Sequence, residues 1–196
     1  MTFIQLKAHD INTASVTLSP LNGVWTAHFS FAQAGVEYSL SKYLGNNSLD
    51  TLNAAIYKEY LADYIKSHFN LVIDNKSIPI GSGGIKLGNH QTDIRFFLPS
   101  FPKQYNRIFL SIPLFEENPN QHTIVKIKDG LLEGRKILKH TNNFEWELIH
   151  DRDRLREKKK SNFPKPISIG IGVLAGAILM GLLIRKIIPV YNIRNK

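Results

Sequence analysis

The sequence predicts a mainly β protein: an immunoglobulin-like β-sandwich with one crossover helix over about residues 49–69, followed by one C-terminal transmembrane helix. Three observations carry this expectation. Apolar residues recur with period two through most of residues 14–148, as they do in half-buried strands. The spacing changes to three and four in one stretch, Leu49 to Phe69. Ile167 to Ile184 reads ISIGIGVLAGAILMGLLI, eighteen positions without a charge, closed by Arg185 and Lys186. At about 1.5 Å rise per residue, such a helix spans roughly 27 Å, close to the hydrocarbon core of a bilayer.

Each element follows from its pattern. Ala14, Val16 and Leu18 alternate with polar residues up to Pro20-Leu21-Asn22-Gly23, and Trp25, Ala27, Phe29 and Phe31 follow. Asn-Gly accepts positive φ, so the pair reads as a hairpin with one buried face. In the helical stretch Leu52, Ile56, Tyr60, Leu61, Tyr64 and Ile65 share a face, with Ser48 or Asn47 placed to cap it. Tyr57, Tyr60 and Tyr64 form a stripe that core packing explains. Val72-Ile73 turns at Asp74-Asn75-Lys76 into Ile78-Pro79-Ile80, and Gly81-Ser82-Gly83-Gly84 reads as a loop. Further strands follow around Ile94–Leu98, Ile108–Ile112, Thr123–Ile127 and Phe144–Leu148, with another over Leu131–Leu138.

These elements divide the chain. Residues 1–8 resemble the end of a signal peptide, 9–150 form the sandwich, and 151–166 a basic stalk in which Arg152 to Lys160 extends as a short helix. Pro164 and Pro166 break that helix before the membrane segment, 167–188, and a short tail, 189–196.

The formal net charge of +9 is not spread evenly. Residues 1–150 hold 14 Lys/Arg and 13 Asp/Glu, whereas 151–196 hold 11 and 3. The excess flanks the apolar run, where cations meet anionic headgroups. No basic patch is legible in the sandwich sequence, so the lipid bilayer and a protein partner are expected and nucleic acid is not. The absence of cysteine excludes disulfides, thiolate zinc sites and cysteine nucleophiles.

No catalytic constellation appears, and an enzyme is not expected: Gly81–Gly84 lacks the Lys-Ser or Lys-Thr pair of a phosphate loop, and no nucleophile elbow is present. Histidine is the one residue type with a chemical pattern. A chain beginning at His9 would offer its α-amino group and imidazole as a two-nitrogen chelate suited to copper, with His28 or His122 as a further imidazole. In the apolar run Ser168, Gly172 and Gly176 fall at i, i+4 and i+8, a small-residue stripe that allows close helix packing and a homodimer through the membrane helix.

Ala8-His9-Asp10, the Trp/Phe-rich second strand, Tyr60-Leu61 through Leu71–Lys76, and Gln121-His122-Thr123-Ile124-Val125 together resemble the N-terminal extracytoplasmic domain of HupE/UreJ-type membrane proteins. They are similar also to small exported proteins in which a signal peptide is followed at once by His. The likeness covers residues 9–148 and rests on order and spacing. It implies an exported β-rich domain and no catalytic residues. The chain departs from the exported pattern in lacking an intact signal peptide, and from the HupE/UreJ pattern in having one spanning segment, so a transport role does not follow. The expected function is a membrane-anchored extracytoplasmic (periplasmic) binding or accessory module. The alternative is a tail-anchored protein with a cytoplasm-facing interaction domain, favoured by seven Lys/Arg before the apolar run against four after it.

Overall fold

Strands β1 (Thr13–Leu21) and β2 (Val24–Ala32) form the expected hairpin, closed by Asn22 and Gly23, both at positive φ. That is the turn whose twist matches paired strands. The computed structural model describes residues 12–45, 49, 52–152 and 154–158. The chain continues through α1 (Gln33–Tyr43), α2 (Ala54–Ser67), β3 (Asn70–Ile73), β4 (Lys76–Ser77), β5 (Gly83–Leu87) and β6 (Gln91–Phe97). There follow β7 (Arg107–Ser111), β8 (His122–Asp129), β9 (Leu132–Lys139), a 3-10 turn at His140–Asn142, β10 (Glu145–Asp151) and β11 (Arg154–Glu157).

The strands make two sheets packed as a β-sandwich. One has six strands in the order β5-β6-β2-β1-β8-β9, the other five in the order β11-β10-β7-β3-β4. All pairs are antiparallel except β1 with β8, which run parallel with Ala14 opposite Thr123 and Leu18 opposite Ile127. Alternate residues of both sheets point inward and form one core that includes Val16, Leu18, Phe29, Ile94, Ile108, Leu110, Val125 and Trp146. Phe29 lies at its centre, edge-on to Phe69 and Phe96. Aromatic pairs in this geometry add stabilisation beyond their buried area.

Strand directions place four tight turns at one end of the sandwich: β1–β2, β3–β4, β8–β9 and β10–β11. We call this the hairpin end. Tyr105, just before β7, reaches Asp129 at the tip of β8 there. At the opposite end the chain crosses between sheets through residues 112–121.

Helical content departs from expectation in three ways. α2 is shorter than 49–69, and its cap is Asn53, whose Oδ1 accepts from the N–H of Ala55 and Ile56 at 3.0 Å each, rather than Ser48 or Asn47. A second helix, α1, precedes it. Its buried face is Gly35, Val36, Ser39 and Leu40, and its first residue follows β2 with no capping side chain, so neither periodicity nor a start signal marks it. Third, Arg152 to Lys160 is not helical over its described residues: Arg154–Glu157 is β11, paired with β10. Leu155 is half-buried, Lys136 pairs with Glu157, and the free edge of β10 outweighs local helix preference. The compact unit therefore runs to Lys158 and takes in the first half of the expected stalk. Gly83 and Gly84, read as loop, open β5. In the tyrosine stripe, Tyr57 and Tyr64 are buried and Tyr60 is partly exposed. The apolar run 167–184 lies outside the described residues, as do residues 1–8; among the described residues no helix is long and apolar enough to cross a membrane.

Candidate functional site

The outer face of the six-stranded sheet is built from the polar members of each alternating strand. Pairing sets them in rows. Gly84 is opposite Arg95, Arg95 opposite His28, His28 opposite Thr17, Thr17 opposite Lys126, and Lys126 opposite Arg135. One row nearer the opposite end runs Lys86, Asp93, Ser30, Ser15, Ile124 and Ile137. Adjacent strands lie about 4.8 Å apart, so Arg95 and Arg135 bracket a band roughly 20 Å wide. This face carries Lys86, Arg95, Lys126, Lys128, Arg135 and Lys139 against Asp93 and Glu133. Arg95, Lys126 and Arg135 form no ion pair among the described residues. The expectation of a sandwich without a basic patch is thus corrected: a domain nearly neutral in sum is polarised, because sheet pairing collects cations from four strands on one surface.

A groove of about 390 Å³ opens in this face beside His28, Gly84, Lys86, Asp93 and Arg95. Gly84 lies on its open side, where a Cβ would meet nothing within 4 Å. Asp93 is oriented by the Gln91 amide at 3.0 and 3.1 Å, and His28 Nε2 lies 3.5 Å from its Oδ1. Gln91 donates also to Ser30 Oγ at 2.8 Å, and Asp93 so oriented makes no ion pair with Arg95. The groove sets two cations, Lys86 and Arg95, and the His28 imidazole beside one carboxylate, Asp93.

His122 lies on the same face but away from this groove. Its Nε2 is 2.8 Å from Thr13 Oγ1 and its Nδ1 3.3 Å from the Asn120 carbonyl. His28 and His122 are two strands apart and offset by four residues, about 16 Å from each other by strand geometry, so they do not converge on one ion. Each is an alternative, not a joint, companion to His9, which lies outside the described residues. Among the described residues no group of three His, Asp or Glu side chains could hold a metal. Ser168, Gly172 and Gly176 also lie outside the described residues.

Three tyrosines have phenols displaced upward, and none belongs to this face. Burial raises Tyr57 to about 12, with the Gln33 amide acting in the opposite sense and Glu37 adding to the rise. Burial also raises Tyr64, aided by Glu117, to which its hydroxyl donates at 3.1 Å while accepting from Phe115 N–H at 2.9 Å. Tyr105 is raised by burial and by Asp129. These are structural hydrogen-bonding phenols, locked in the neutral form.

Compared with protein-family models and with curated proteins, the chain matches none. The site therefore rests on geometry. Of its residues, the sequence marks only His28 as a candidate ligand, and Gly84 only as part of a loop. Arg95, Lys126 and Arg135 were legible as polar positions in alternating strands, but their alignment depends on the strand order β6-β2-β1-β8-β9, which the linear pattern does not contain.

Proposed function

We propose that the chain is a membrane-anchored binding or accessory module, its immunoglobulin-like sandwich displaying the cationic sheet face to an anionic partner and its 167–188 segment crossing the bilayer. The observation that carries the binding reading is the row Arg95–His28–Thr17–Lys126–Arg135 with its groove, on a domain whose charge otherwise nearly cancels. Unpaired cations at fixed spacing on a rigid sheet steer and orient acidic partners. The uncharged eighteen-residue run and its basic flanks support the anchor. The resemblance to exported domains supports an extracytoplasmic sandwich. The positive-inside count favours the second reading, a cytoplasm-facing domain on a tail anchor.

Carbonate washing of membranes from cells making the full chain should leave it in the pellet, and release into the supernatant would refute the anchor. Protease added to intact cells after outer-envelope permeabilisation should cut the chain. Cutting only after lysis would establish the cytoplasm-facing alternative. The binding face is tested separately, by titrating tripolyphosphate into detergent-solubilised full chain. Salt-sensitive binding that disappears in Arg95→Ala/Lys126→Ala/Arg135→Ala is expected, and identical titrations would remove the face from consideration.

A further inference from the structure

The hairpin end carries an apolar rim directly above the cationic band. Leu131 is fully exposed at the tip of β8–β9, where Gly130 takes positive φ as the first residue of a two-residue turn. Leu21 and Val24, paired across the β1–β2 turn, are each 40 % exposed, and Phe97, opposite Thr26 on β6, is 42 % exposed. Because β1 and β8 are parallel neighbours, the two tips stand side by side. Leu21, Val24 and Phe97 lie on the same outer face as Arg95, Lys126 and Arg135. Turns ordinarily carry Gly, Asn or Asp, as Asn22-Gly23 does, so an exposed leucine at the tip of β8–β9 beside the apolar flanks Leu21 and Val24 of the neighbouring turn marks a contact surface.

We propose that this rim docks on the bilayer itself, Leu131, Leu21 and Val24 entering the interface while the cationic band meets anionic headgroups. The inference rests on the membrane-anchored reading above. Charge complementarity selects this occupant: Arg95, Lys126 and Arg135 form no ion pair among the described residues, and of the carboxylates near the rim Glu133 shares their outer face while Asp129, Asp74 and Asp151 are bonded within the fold. Asp129 accepts from Tyr105, Asp74 from the N–H of Asn106 and Arg107, and Asp151 pairs with Arg156. Apolar insertion combined with basic headgroup contact is the pairing that interfacial binding needs.

The chain has no cysteine, so a single introduced thiol is a unique label. Full-length Leu131→Cys and, as the control at the opposite end, Thr141→Cys are labelled with an environment-sensitive fluorophore. Each is reconstituted into nanodiscs of neutral phosphatidylcholine or of the same lipid with about 30 % phosphatidylglycerol, with nitroxide-bearing lipid as quencher. Strong quenching at position 131 and little at 141, in anionic discs, is expected. Adding Arg95→Ala/Lys126→Ala/Arg135→Ala should lower the docking constant by roughly 100-fold. Equal, weak signals from both positions in discs that have taken up the chain would overturn docking and leave a protein as the partner of this rim. A chain that does not enter discs refutes the anchor alone. Docking is then decided by adding the labelled chain to anionic liposomes, where quenching at 131 upholds it and its absence overturns it.

Discussion

Tyr105 donates its phenolic hydrogen to Asp129 Oδ2 at 2.8 Å, joining the loop before β7 of one sheet to the tip of β8 in the other. The bond closes the hairpin end beside the stacked pair Trp25 and Phe101, whose rings lie 3.7 Å apart. Phe101 in turn meets Tyr105 edge-on. Tyr105→Phe keeps the ring contacts and removes only the hydrogen bond. It should lower stability by about 1–2 kcal/mol, read as a lower urea midpoint at unchanged slope.

Alkaline pH should unfold the protein through its buried phenols. In the unfolded chain these groups ionise near pH 10, while in the folded chain Tyr57 holds its proton to about 12 and Tyr64 and Tyr105 hold theirs above the ordinary value. The folded state therefore binds more protons above pH 10. Their stabilisation is complete below that pH and is lost as pH rises through the folded values. Thermal melts should show stability falling from pH 10 upward, and Tyr57→Phe should flatten that fall. A profile level to pH 12 would contradict the assignment.

Gly83 and Gly84 are neighbours with opposite tolerances. A Cβ at Gly83 would come within 2.1 Å of the Arg95 carbonyl and 2.6 Å of the Phe96 ring, whereas one at Gly84 meets nothing within 4 Å. Gly83→Ala should cost about 1–3 kcal/mol or detach β5, and Gly84→Ala should stay within about 0.5 kcal/mol. Chemical denaturation of the two variants decides it.

Asn53 satisfies two N–H groups at the start of α2. Asn53→Ala should lose about 1 kcal/mol, and Asn53→Gly only a few tenths. Equal losses in the two variants would show that the cap bonds are not what matters.

Two leucines, Leu138 within β9 and Leu131 just before it, should behave oppositely. Leu138 is fully buried and its truncation to alanine should cost about 2–5 kcal/mol. Leu131→Ser, at the exposed tip, should leave the melting temperature unchanged while weakening membrane docking. A large stability loss in that variant would mean the tip is packed.

The fold was legible where burial is a local property of a strand or helix. Val16, Phe29, Ile94, Val125 and Trp146 announce their inward face by alternation alone, because successive side chains leave a strand on opposite sides. Asn22-Gly23 and Asp74-Asn75 announce their turns because few other pairs accept positive φ twice in a row. Helix α1 was illegible because Gly35 and Ser39 bury by closeness to their neighbours, not by hydrophobicity. β11 was illegible because a charged strand edge is stabilised by its partner β10 rather than by its own composition.

By itself the sequence determined which residues could face a core, where the chain could turn, and where an uncharged run of membrane length lies. Only the tertiary structure decided which strands stand beside one another. The parallel pairing of β1 with β8 links positions more than a hundred residues apart, and it is this pairing that sets Arg95, His28, Lys126 and Arg135 in one row and Leu21 beside Leu131. Alternation fixes the face on which a side chain emerges. Its neighbours across the sheet follow from pairing, which depends on how the whole core closes and is encoded in no single segment.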